Sequence, residues 1–135
     1  MPRLNQVTMI GNLATEPYLS ATQKGDPKLS FRLAVPRPPG SPRKFRQSAD
    51  GPAQEVPDFV GIMLTGPQTL KTHAYLRQGS QVLVHGSLVS RDDHTLTQDL
   101  GRPFEVVEVW AEGVEYLSNI EWDRGRAFEA QQQHG

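Results

Sequence analysis

The chain has no cysteine among its 135 residues, which excludes disulfide staples, thiolate metal sites and thiol catalysis and suits a reducing cytoplasm. No apolar run approaches the roughly 18 residues of a membrane-spanning helix, and the N-terminus lacks the charged-then-apolar segment of a secretory signal. A membrane span is not expected. Neither a Gly-rich phosphate loop ending in Lys and Ser or Thr nor a Gly-x-Ser-x-Gly elbow occurs. His85 and His94, with Asp92 and Asp93, lie along one stretch without the spacing that makes metal ligands converge. These absences point to a non-enzymatic protein with no metal and no cofactor.

The length suits a single domain. With 36% hydrophobic side chains, a chain of this size can bury roughly two-thirds of its unfolded surface without covalent help. Its net charge is only −1, yet the two signs are segregated. Residues 1–48 carry eight Lys or Arg against Glu16 and Asp26, while the remainder holds six basic and thirteen acidic side chains. Such asymmetry indicates a polyanion-binding segment, or else opposite charges folded against each other as solvated surface.

Periodicity supplies the architecture. From Lys28 to Val35 apolar residues alternate with polar or small ones, the signature of a half-buried strand. Val7, Met9 and Leu13 alternate with Thr8 and Asn12. Val60, Ile62 and Leu64 share one side of a third run, and Val82, Val84 and Leu88 one side of a fourth. In a fifth, Val107, Val109 and Ala111 lie opposite Phe104, Glu108 and Trp110. These strands, punctuated by turn residues, predict an all-β sandwich or barrel. One short helix is expected between the third and fourth strands, over Gln68 to Gln78, with Leu70, Ala74 and Arg77 at helical spacing. Pro67 suits its first position and Gly79 its cap. The stretch from Pro36 to Pro57 holds six prolines and no sustained period, so it reads as one long loop. Residues 118–135 read as a polar, mobile tail, leaving a domain of residues 1–117.

Several local strings fall in a familiar order. Asn5-Gln6-Val7-Thr8-Met9-Ile10-Gly11-Asn12-Leu13, then Glu16-Pro17, Gly25, Pro27 and Phe31-Arg32-Leu33-Ala34-Val35, resemble the opening of bacterial single-stranded DNA-binding proteins. Asp58-Phe59, the run from Tyr75 to Val82 with Gly86 and Leu88, and Glu108-Val109 through Val114-Glu115-Tyr116-Leu117 are similar to that family's later elements. The resemblance spans about residues 4–117. It implies a five-stranded OB-fold barrel, assembled as a homotetramer with a dimer as the alternative, that binds single strands with little sequence preference in DNA replication, recombination or repair. An OB-fold primosomal adaptor, bridging replication-restart proteins, is the second functional reading. A purely structural barrel, in which the basic loop is incidental, is the third. The terminal stretch from Glu129 to Gly135 lacks the acidic segment ending in an aromatic residue that family members use to recruit enzymes, so recruitment by that route is not expected.

Single-strand binding requires cations to track phosphates and flat rings on which bases stack. If Val60, Ile62 and Leu64 point inward, alternation turns Phe59 outward; the resemblance places a stacking aromatic there, and cover by a loop or a subunit is the alternative. The prolyl loop contributes Arg37, Arg43, Lys44 and Arg46, whose mutual repulsion phosphates would relieve. Phe45, lying among them, is either a second ring for bases or the anchor that packs the loop on its barrel. Lys28 and Arg32 face outward on the second strand. Arg77 and Arg91 fall where the resemblance implies basic residues. Asp92, Asp93 and Thr65 depart from the family's aromatic or basic choices, and Glu105, Glu108, Glu112 and Glu115 form an acidic row that should push a bound strand toward the basic loop. Trp110 could stack a base or fill a subunit interface, and both stay open. Outward Ile10, Leu83 and Val89 argue for an oligomer.

Overall fold

The computed structural model describes residues 1–119, so the expected tail beyond Asn119 lies outside the described residues. The elements run β1 (Val7–Leu13), β2 (Tyr18–Ala21), β3 (Pro27–Val35), β4 (Phe45–Ser48), β5 (Gly51–Glu55), β6 (Asp58–Thr65), α1 (Thr69–Tyr75), β7 (Ser80–Asp92), α2 (His94–Leu100) and β8 (Glu105–Asn119). The strands foreseen from alternation are β1, β3, β6, β7 and β8. They close into a barrel because the sheet order β1-β7-β8-β6-β3-β2 is completed by a further pairing of β1 with β3. All contacts in this ring are antiparallel except β6 with β8.

The inward set follows from strand parity. Leu29, Leu33, Val82, Val84 and Val109 are fully buried, and Leu13, Phe31, Ile62, Leu64, Leu76 and Ala111 complete the core. Val60, Val7 and Met9 pack at its edge. Leu88 and Val107, expected on the inward side, are 45% and 61% exposed, because β7 and β8 run on together beyond the end of the barrel.

Closure demands a backbone approach that a side chain would block. A Cβ at Gly11 would lie 2.4 Å from the Ala34 carbonyl oxygen, where β1 crosses to β3. The same constraint holds at Gly86, whose Cβ would meet the Trp110 carbonyl oxygen at 2.1 Å. Here the β7–β8 register shifts and leaves Glu112 without an opposite residue, a bulge that sharpens the bend of both strands. It also splits the expected acidic row, since Glu108 and Glu115 fall on either side of it.

Five features differ from expectation. The prolyl stretch is not one loop: β4 and β5 form a separate two-stranded sheet with pairs Phe45↔Glu55 and Arg46↔Gln54. The short β2 adds to the outside of β3. A second helix, α2, follows β7, opened by Asp93 accepting from the Leu96 N–H and closed by Gly101 in the left-handed region. Helix α1 is shorter than predicted and turned: it buries Thr69 and Thr72, leaves Leu70 57% exposed, and starts after Gln68, with Pro67 outside it. Strand β8 continues through Asn119, past the expected domain boundary.

Replacing Gly11 by Ala forces the β1–β3 seam apart and is expected to cost about 1–3 kcal/mol. Gly51→Ala, with nothing within 4 Å of its Cβ position, should stay within about 0.5 kcal/mol of the parent. Urea denaturation of the two variants measures the difference.

Candidate nucleic-acid interface

The outward face of β3 and β6 is set by one register. Lys28 pairs with Thr65, Ser30 with Met63, Arg32 with Gly61 and Ala34 with Phe59. The parallel β6–β8 pairing adds Trp110 beside Met63, and the β2–β3 pairing adds Tyr18 beside Ser30. Strand β7 brings Val89 opposite Glu108 on the far side. Alternation thus collects Tyr18, Lys28, Arg32, Phe59, Met63 and Trp110 on one surface.

At one end of this surface the β4–β5 hairpin leans on Phe59. The Lys44 ammonium lies 5.8 Å and the Arg46 guanidinium 5.7 Å from the centre of the Phe59 ring, within cation–π range. Lys44 and Arg46 thus reach the ring together, while Phe45 between them is 61% exposed. Phe45 therefore does not anchor the loop on the barrel. Phe59, at the base, is partly buried beneath the two cations.

The other two loop cations hold the hairpin. Arg37 Nε donates to Asp58 Oδ2 and its Nη2 to Oδ1, both at 3.0 Å, while Nη1 donates to the Pro42 carbonyl at 2.7 Å. This bidentate fork joins the start of the excursion to the first residue of β6. Hydrogen bonding to Arg37 holds the Asp58 carboxyl below its ordinary value, with Lys44 adding a smaller pull. The same pair raises the Arg37 guanidinium above its ordinary value. Arg43 donates to Glu55 across the hairpin at 3.2 Å and to the Pro38 carbonyl at 2.6 Å.

Farther along the face, Arg91 donates through Nε to Glu108 Oε1. Glu108 lies across Gly61, where a Cβ would come within 3.4 Å of Glu108 Cγ. The acid that threatened to repel phosphates is thereby held by a cation of the neighbouring strand. Lys28, Arg32, Lys44 and Arg46 make no ion pair among the described residues. Arg77 stands apart, in the turn between α1 and β7, with its backbone N–H donating to Ser80 Oγ. Asp92 and Asp93 end β7 at the start of α2, off this surface.

The structure therefore brings together Phe59, Lys28, Arg32, Lys44, Arg46 and Arg91, assigns Arg37 and Arg43 to the hairpin's own construction, and leaves Phe45 and Arg77 outside the group. Tyr18, 68% exposed, escaped sequence reading. Its signal is parity with Ser30, which becomes usable once the β2–β3 register is fixed, whereas Met63 is turned outward by the same alternation as Phe59.

A closed five-stranded barrel with a cation-flanked aromatic face defines the OB-fold class of single-strand binders. Residues 4–117 match the Single-strand binding protein family, and the chain belongs to that family. It is 29% identical over 130 residues to single-stranded DNA-binding protein 1 of Staphylococcus aureus, covering 96% of this chain and 76% of that one. It is 32% identical over 119 residues to single-stranded DNA-binding protein 2 of Chlorobaculum tepidum, covering 87% and 74%. The fold is also that of the Plasmodium falciparum protein solved in complex with single-stranded DNA, with TM-score 0.64 and 24% identity over 87% of this chain and 98% of that one. The Thermus aquaticus single-stranded DNA-binding protein matches with TM-score 0.60 and 28% identity, over 85% of this chain and 50% of that one. None of these relatives bears the name of a primosomal adaptor.

The Arg37–Asp58 pair has a defined pH signature. A carboxyl whose folded value is depressed contributes stability that is present above its ordinary value and is lost as pH falls through the folded value. Wild type is therefore expected to exceed Asp58→Asn in stability by a constant margin at neutral pH, with the margin shrinking from about pH 4 downward. Urea midpoints of the two proteins across pH 7 to 3 check it; a margin that does not change with pH would remove the ion pair from the account.

Proposed function

We propose that the chain binds single-stranded DNA with little sequence preference, catalyses no reaction, and protects exposed strands during replication, recombination or repair. The observation that carries this reading is the Phe59 ring set beside Lys44 and Arg46, on the same face as outward Lys28 and Arg32. A ring offers a stacking surface to any base, and cations at its edge meet the phosphates on either side. The neutralised Glu108 removes the main electrostatic obstacle from the middle of that path. Among the described residues no helix is long and apolar enough to cross a membrane, and a strand-protecting role places the protein in the cytoplasm with the DNA.

The reading is tested by titrating an oligothymidylate across a salt series. Log affinity should fall with log salt by about 0.7 per phosphate contacted. Phe59→Ala should weaken binding about tenfold at every salt concentration with little change in that slope. Arg32→Ala and Arg46→Ala should instead flatten it. Equal affinity for duplex and single strand would contradict base stacking.

We also propose a homo-oligomer, most simply the tetramer implied by the family. Ile10 is 48% exposed and pairs in register with Leu83 on β7, leaving an apolar ridge on the barrel wall that a second copy would cover. Ile10→Glu should lower the solution mass by light scattering while the thermal unfolding curve remains cooperative. An unchanged mass would move the interface elsewhere.

A further inference from the structure

We infer that the trough beside Trp110 takes an unpaired nucleobase stacked on the indole, making a second stacking position on the face whose first is Phe59; the inference rests on the single-strand reading above. Trp110 is 49% exposed and neighbours Met63 in the β6–β8 register. With Val89 and Leu70 these side chains line a depression of about 1110 Å³. A half-exposed indole in a trough lined by Met63, Val89 and Leu70 presents a flat apolar face to a ligand.

The charges on the rim identify the occupant. Lys24 and Lys28 line the trough against one acid, Asp26, while Arg91 on the same rim is paired with Glu108, so the ligand that fits is apolar and flat in its body and anionic at its ends. A nucleotide within a strand has that form. Arg91 is already oriented by its bond to Glu108, and the turn that walls the trough is fixed by the Thr22 N–H donating to the Asp26 carbonyl at 2.8 Å. The site is therefore formed before any ligand arrives.

Continuity joins this trough to the rest of the face. A second depression of about 620 Å³, containing Tyr18, Arg32 and Gly61, shares Lys28 and Arg91 with it as common walls. Along β6, Met63 stands four residues from Phe59, about 13 Å at strand rise. That span is several times the roughly 3.4 Å between stacked neighbours in one strand. Bases on Phe59 and Trp110 are therefore separate anchor points of one strand, with the Arg32 cation facing the backbone between them.

The 135-residue chain carrying Trp122→Phe has Trp110 as its sole tryptophan and reports directly on the trough. Saturating oligothymidylate should quench its fluorescence, whereas an abasic oligonucleotide of equal length should not. Trp110→Ala should raise Kd about tenfold with the salt slope unchanged, and Trp110→Phe should recover most of the loss. If Trp110→Ala binds within twofold of the parent, or if bound oligothymidylate leaves the indole emission unaltered, the trough is not a base site although single-strand binding stands. A Trp110→Ala protein whose solution mass falls along with its affinity would assign the indole to a subunit interface and overturn the inference. Failure of the parent chain to bind oligothymidylate at all would overturn both this inference and the reading on which it rests.

Discussion

The antiparallel register of β3 against β6 is the constraint from which the rest of the surface follows. Because Leu29, Phe31 and Leu33 must be buried with Leu64, Ile62 and Val60, the residues between them have no choice of side. Lys28, Arg32, Phe59 and Met63 face outward together as the complement of the core. A one-residue slip would bury the cations and expose the leucines, a loss far larger than any surface preference could offset. The face is thus maintained by the same burial that folds the protein. Gly11 belongs to this constraint: it lets β1 approach β3 closely enough for the ring to close.

The excursion between β3 and β6 shows how a charge-rich segment can be ordered without a core of its own. Two of its cations are paired with acids, Arg37 with Asp58 at the start of β6 and Arg43 with Glu55 on β5. The other two point to a ring. Solvent-facing ion pairs contribute little individually, but the Arg37 fork also binds the Pro42 carbonyl and so fixes direction as well as proximity. Prolines flanking the hairpin reduce the conformational freedom that ordering must remove. The segregation of charge seen along the sequence has two causes: part of the positive half is compensated internally, and part stands uncompensated above the aromatic face.

The barrel was legible because alternation is a local property. All five strands with period-two patterning are barrel strands, and Phe59 was placed outward from its own strand alone. What escaped was either too short or decided at a distance. Strand β2 has four residues, and β4–β5 is exposed along most of its length, so neither leaves an apolar period to read. Helix α2 buries nothing; its Asp93 and Gly101 caps were visible, but without an apolar stripe to mark the elements between them. On α1 the inward side is made by threonines, against the usual association of leucine with burial. The acids that pair with Arg37 and Arg43 lie 21 and 12 residues away, beyond any local pattern, and Tyr18 joins the site through a pairing that no local pattern announces.

The cations over Phe59 bear on how a strand would engage the face. In the unliganded chain they occupy the neighbourhood a base must enter. Two cation–π contacts at about 0.5–1 kcal/mol each come close to the about 1–3 kcal/mol of one base stack, so stacking alone leaves the exchange near balance and the phosphates met by the released cations tip it toward the base. The displaced Lys44 and Arg46 are not lost to binding, because an entering base brings its own phosphate within their reach. Each cation trades a weak partner, the ring quadrupole, for a full negative charge, and the ring trades two cations for a flat surface. The hairpin that carries them is tied to the barrel at Asp58, next to the ring itself, so the exchange can proceed by rotating two long side chains while the backbone stays in place.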